Sequence, residues 1–410
     1  MRINKKKIYI ITNGCPRRDL DSGRLEHFFR ANGCIIVKKP KFADYIIFVT
    51  CSFKKAKVEQ CLKMISNLLK YRAELIIAGC LPDIAPNELR DAFKGRVVET
   101  RNLEKIGELF TDFKVKFNSI PDVNLVSQGI LQKFFIYFEF NRRFFNRCFD
   151  FIVQKFKKNY KANIEKVKSN VVITKPAFLR ISNGCIENCA YCTIYRAVGK
   201  LRSKKIDECL LEYSKLLKQG YRNFTFLADN LGVYGLDYGT TLEHLFQSLS
   251  DVDKELPVCW GLLDMHPRWV VKYKNILTKY IAEEKIKSIE CAIQSGSDRI
   301  LKLMNRHHSI AEIIEILKNF RSLQPKLHLS TQLIVGFPSE TEKELAETVD
   351  AVRAIGFNEV SFYPYYDGYE SISSKMNGKI PKEIIYSRLK KATDLLKKEG
   401  VICKCDEILI

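Results

Sequence analysis

At 410 residues, 46% of them apolar, the chain is long enough for two or three domains and too apolar to be disordered. Its net charge of +21 says nothing about fold. It either favours an anionic partner, most simply RNA or a ribosome, or reflects lysine-rich usage. Ile8–Ile11 is too short for a secretory core and no run of eighteen uncharged apolar residues exists, so the sequence reads as cytoplasmic, without a membrane span. Fourteen cysteines in that setting read as metal ligands rather than disulfides.

In chain order, 8–12 reads as a buried strand, 13–16 as a turn and 19–32 as a helix stopped by Gly33. A second strand, 43–51, a helix over 54–71 and a third strand, 75–80, repeat the pattern. Cys15, Cys51 and Cys80 each stand at a strand's C-terminal end, and in a parallel sheet those ends face one way. They are converging ligands or ordinary buried thiols; the repeated placement favours ligands. Cys34 and Cys61 lack that placement and read as plain thiols.

The next region differs. Nine of the 26 phenylalanines fall between Phe134 and Phe156, and ten basic residues face three acidic ones between Lys133 and Lys168. No Gly or Pro interrupts 131–170, which predicts a long helix. It is a linker packed between domains, or a basic aromatic surface for RNA, a partner or a membrane interface. Beyond it, strands are expected at 178–182, 223–227, 258–262, 288–293, 327–335 and 359–363, with helices between, such as 205–219 and 340–355. Six βα units predict a partial, open barrel.

After the first of these strands come Cys185, Cys189 and Cys192, three thiols within eight residues on a loop at a strand's C-terminal end. Zinc usually takes four closed ligands, and no fourth Cys or His lies nearby. Three ligands on a four-iron cluster leave one iron open for chemistry. His307 and His308 have no metal spacing and read as surface residues.

The C-x-x-x-C-x-x-C loop, with Tyr191 before its last cysteine, resembles the radical S-adenosylmethionine (SAM) superfamily. Gly199–Ser203, Tyr234-Gly235, Gln294–Ser297, Lys302–Arg306 and Gly336-Phe337-Pro338 narrow the resemblance to the MiaB/RimO-like methylthiotransferases. Asn13-Gly14-Cys15, Val49-Thr50-Cys51, Ala78-Gly79-Cys80, Asp21-Ser22 and Ala43-Asp44 fit as well. The resemblance implies an α/β chain: an N-terminal parallel-sheet domain (1–110), a helical insertion (111–175), a partial (βα)6 radical-SAM core (176–380), and a C-terminal helix and tail (381–410). It implies two [4Fe-4S] clusters, one on Cys185, Cys189 and Cys192 that binds SAM, the other on Cys15, Cys51 and Cys80. Tyr191, Asn230, Gln294, Ser295 and Gly336 would contact the cofactor, and an electron donor such as flavodoxin or ferredoxin would reduce it.

The sequence departs from the family's pattern at Asp229-Asn230, where Gln-Asp is usual, and at Tyr365–Ser371. The family's terminal β-domain, TRAM, has no counterpart that fits here. The implied reaction is methylthiolation of an unactivated C–H bond, on a ribosomal-protein aspartate or another peptide residue. The runner-up is a tRNA adenosine, and a third reading is a non-catalytic iron–sulfur protein that binds RNA or ribosomes.

Overall fold

The apolar runs of the N-terminal part form five parallel strands. These are β1 (Lys7–Thr12), β2 (Ile35–Ile36), β3 (Tyr45–Thr50), β4 (Glu74–Gly79) and β5 (Arg96–Glu99), in the order β2-β1-β3-β4-β5. The runs are unbroken because both sheet faces are covered. Ile8 and Ile10 point to one core with Leu25, Phe28 and Phe29 of helix Pro16–Ala31. Tyr9 and Ile11 point to the other, with Val58, Cys61, Met64 and Ile65 of helix Lys55–Leu68. The first helix begins at Pro16, three residues before the expected start, because proline suits a first helical position. Cys15 therefore lies at a helix N-terminus.

The computed structural model describes residues 5–125 and 175–405. The helix expected over 131–170 lies outside the described residues. From Ala177 a second sheet forms, with β6 (Ala177–Arg180), β9 (Asn223–Leu227), β10 (Cys259–Met265), β11 (Ile286–Cys291), β12 (His328–Val335), β13 (Glu359–Pro364) and β14 (Ile402–Lys404). All seven are parallel, in the order β14-β13-β12-β11-β10-β9-β6, wrapped by helices around one large apolar core. Six strands were expected. The seventh, β14, follows helix Lys382–Lys398 and pairs with β13, so the C-terminal helix is a further crossover of the same sheet.

Between β6 and β9, a short antiparallel ribbon of β7 (Ser182–Asn183) and β8 (Arg202–Ser203) closes the base of the loop that carries Cys185, Cys189 and Cys192. Among the described residues, no helix is long and apolar enough to cross a membrane.

Candidate active site

The N-terminal sheet presents its strand ends to the strand ends of the second sheet. Phe53, just past β3, meets Tyr363 of β13 edge-on, with ring centroids 5.9 Å apart. Cys80, just past β4, packs with Ala197 and Ile194 of the helix that follows the second cysteine loop. Arg17, just past β1, donates to Ala228 O at 2.9 Å and pairs with Asp264 at the end of β10.

The loops that carry Cys15, Cys51 and Cys80 are tied to each other. Cys51 N donates to Asn13 Oδ1 at 2.9 Å, and Cys80 N donates to Thr50 O at 3.0 Å. Gly79 has φ +101°, and a Cβ there would stand 2.3 Å from Thr50 O, so only glycine lets β4 end against β3. A hydrogen bond from Cys51 and the nearby Arg17 and Arg18 guanidinium groups hold the Cys15 thiol well below its usual range. The same bond and burial push Cys51 up, and burial also raises Cys80, which feels the charge of Cys15. The three thiols thus converge beside the buried Arg18 and the half-buried Arg17. Cys61 is buried next to them, but its sulfur accepts from Asn13 at 3.1 Å and faces Cys51 O, a packing role.

The second loop is pinned from several sides. Gly184 N donates to Asp229 Oδ2 at 2.7 Å. Glu187 accepts from Trp269 Nε1 at 2.8 Å, Asn230 Nδ2 at 3.2 Å and Arg268 Nη1 at 3.2 Å. Ala190 N donates to Met304 O at 2.9 Å, and Asn305 Nδ2 donates to Asn188 O at 2.7 Å. Arg306, buried behind the loop, donates to Tyr191 Oη at 2.9 Å and approaches Cys189 Sγ at 3.6 Å. Burial pushes Cys185 up to about 12 and Cys192 to about 11; Cys192 and Cys189 raise Cys185 further, and Cys189 raises Cys192.

Both triplets fit iron–sulfur clusters by their donor chemistry. The thiols that burial raises, Cys51, Cys80, Cys185 and Cys192, become thiolates where a metal supplies the compensating charge, and Cys15 is already held low. Three cysteines bearing on one another, with arginines alongside, suit an anionic cluster. Among the described residues, no three His, Cys, Asp or Glu side chains are grouped as ligands of a single ion. A four-iron cluster asks for wider spacing, because each thiolate binds a different iron. Beside the second triplet, Gln294 Oε1, Arg306 Nε, His266 Nε2 and both ring nitrogens of His308 are buried without a partner. Such atoms fit a polar ligand with acceptors and donors of its own, as SAM has.

The other expected cofactor contacts divide. Tyr191 is half-buried in the loop, and Gln294 is buried near it with a strained φ of +69°. Asn230 is nearby but committed to Glu187 and to Gly232 N. Ser295 Oγ faces Thr348 and accepts from Ser297 N, a packing position. Gly336 has φ +81°, and a Cβ there would meet Ile385 of the C-terminal helix at 2.4 Å.

His308 corrects an expectation. Only His307 is exposed; His308 is largely buried, its ring edge-on to that of His266 with centroids 5.7 Å apart. Burial, then Arg306, lower His308 to about 3, and the same causes depress His266. Glu290 was also missed. Glu290 is raised to about 7 by burial and by the Asp264 carboxylate, and accepts from Gln332 Nε2 at 2.9 Å. The available signal was a polar residue at a strand's C-terminal end.

Residues 179–352 match the radical SAM superfamily, and residues 7–98 match the uncharacterized protein family UPF0004. The chain is 26% identical over 401 residues to the tRNA-2-methylthio-N(6)-dimethylallyladenosine synthase of Fervidobacterium nodosum, covering 95% of this chain and 83% of that one. It is 26% identical over 399 residues to the ribosomal protein uS12 methylthiotransferase RimO of Thermosipho melanesiensis, covering 94% and 82%. The chain belongs to the radical SAM methylthiotransferase family. Members of this family are enzymes that use SAM and [4Fe-4S] clusters, which sets aside the non-catalytic reading. In fold the chain also resembles the radical SAM methyltransferase TsrM of Kitasatospora setae, with TM-score 0.58 at 11% identity, covering 88% of this chain and 75% of that one.

Proposed function

We propose that this methylthiotransferase acts on a macromolecule, with Cys185, Cys189 and Cys192 holding the SAM-binding cluster and Cys15, Cys51 and Cys80 the auxiliary one. The observation that carries this is the opposition of the two triplets, with the Asp229 carboxylate bearing on both Cys80 and Cys192. When bound, the open cluster supplies the electron that cleaves SAM, and so the hydrogen-abstracting radical. The protein's share is placement. Arg306 and Tyr191 hold the loop, Glu187 fixes its orientation, and His266, His308, Gln294 and Arg306 offer unpaired polar atoms to the cofactor.

We take the substrate as a ribosomal-protein aspartate or another peptide residue, on the resemblance of Gly14-Cys15-Pro16, Gly199–Ser203 and Tyr234–Asp237 to the RimO subgroup. A tRNA adenosine is the second reading, favoured by the similarity to a tRNA-modifying enzyme. Mass spectrometry of tRNA nucleosides and ribosomal proteins from a deletion strain decides between them. A methylthio group missing from protein alone supports the first reading, and one missing from tRNA replaces it with the second.

The cluster assignment has its own test. Anaerobically reconstituted protein should bind about eight irons, and the triple variant Cys185→Ala/Cys189→Ala/Cys192→Ala about half. Cys15→Ala should abolish sulfur transfer yet leave SAM cleavage to deoxyadenosine, whereas Cys189→Ala should abolish both. Four irons in the unaltered protein would remove the auxiliary cluster from the assignment.

A further inference from the structure

One departure from the family's pattern makes a long-range contact. Asp229 stands where Gln is usual, and it pairs with Arg17, 212 positions earlier in the chain. Arg17 Nε lies 3.3 Å from Asp229 Oδ1, and its Nη1 bonds Ala228 O and the Asp264 carboxylate. The other oxygen of Asp229 accepts from Gly184 N at 2.7 Å. Cys15 is two residues before Arg17, and Cys185 directly follows Gly184. A path of covalent bonds, one ion pair and one hydrogen bond therefore runs from Cys15 through Arg17, Asp229 and Gly184 to Cys185.

The members of this path are poorly free to move. The Asp229 side chain is 3% exposed and that of Arg17 20%. Gly184 has φ +90°, and a Cβ there would stand 2.2 Å from Lys200 O, so its backbone is wedged against the far side of its own loop. Asp264 holds a left-handed φ of +57° at the end of β10, a conformation kept where surrounding contacts over-determine it. Its carboxylate is one of those contacts, through Arg17. The fork of a guanidinium can hold two carboxylates and a carbonyl at once, which an ammonium does less well.

We propose that Arg17, clamped by Asp229 and Asp264, is a positioning residue that sets the separation and orientation of the two cysteine loops. The inference rests on the reading of both triplets as cluster sites for its purpose, though not for its physical test. Another interdomain contact, Arg180 with Asp21 and Asp122, holds the domains together farther back. The Arg17 strut acts between the loops themselves.

Hydrogen exchange read by mass spectrometry tests it on the full chain, before and after reconstitution with iron and sulfide. Arg17→Gln should speed exchange across 183–192 by about tenfold or more, the loss of a charge-assisted tie. Peptides across β11 and β12, which Arg17 does not touch, should stay near those of the unaltered protein. Asp229→Asn should in turn speed exchange across 13–19, and Arg17→Lys should restore part of the protection. A response confined to the mutated loop, or spread evenly over the chain, would overturn the strut. Iron content, measured on the same samples, judges the cluster reading separately. In samples with both clusters, pulsed paramagnetic resonance should give a broader spin–spin distance distribution in Arg17→Gln, and an unchanged distribution counts against the strut.

Discussion

At the scale of single residues, the site is built from groups kept from their ordinary protonation. His308 is neutral in the folded chain because burial and Arg306 lower it to about 3. In the unfolded chain its ring titrates near 6.5. Between those values the unfolded state binds more protons, so stability falls as pH drops from 6.5 towards 3, at about 1.4 kcal/mol per pH unit for this ring. Replacing His308 with Gln should flatten the fall in melting temperature between pH 7 and pH 5, and an identical slope would mean that the ring reaches solvent. The strand-end placement of the six cysteines was legible in the sequence because it is local. His308 was not, since its neighbours Arg306 and His266 become a wall only once β10 and the turn after helix Asp298–Leu303 lie side by side. The Arg17 contacts were hidden for the same reason, as partners 212 and 247 positions away leave no periodic trace.

At the scale of elements, the long apolar strands were legible and the short ones were not. β3 and β4 carry continuous branched runs, whereas β2 is two residues and β14 three, too short for any pattern. β14 is held in place by β13 and by the C-terminal helix that precedes it. That helix packs against the strand-end turn at Gly336 through Ile385. Gly336→Ala should therefore cost about 1–3 kcal/mol from overpacking, with a further penalty for a side chain at φ +81°. Adding Ile385→Ala should remove the clash but not the backbone penalty, so the double variant should fall short of the stability of Ile385→Ala alone. Urea denaturation checks this. If the double variant equals Ile385→Ala, the backbone term at Gly336 is negligible.

At the scale of the molecule, the two sheets are joined by a buried charge cluster. Arg180 on β6 binds Asp21 of the first helix at 2.6 Å and Asp122 at 2.7 Å, with the three side chains 4%, 8% and 6% exposed. Lys204 and Arg24 add to Asp122 at 3.0 and 3.4 Å. Burial works against the Asp122 carboxylate, yet Arg180, Lys204 and Arg24 together hold it far below its usual range. A depressed carboxylate contributes stability that is present above its unfolded value, near 3.9, and is lost as pH falls below that. The cluster should therefore hold the domains together at neutral pH and release them in acid. Removing only its central cation leaves two buried carboxylates short of charge, a loss of about 3–5 kcal/mol for such a pair. Arg180→Gln should accordingly split one calorimetric transition at pH 7.5 into two, the N-terminal sheet melting apart from the larger one. The same separation should develop in the unaltered protein only below about pH 4. A single transition in Arg180→Gln, shifted by less than about 1 kcal/mol, would mean that apolar contacts such as Phe53 on Tyr363 join the domains without the cluster.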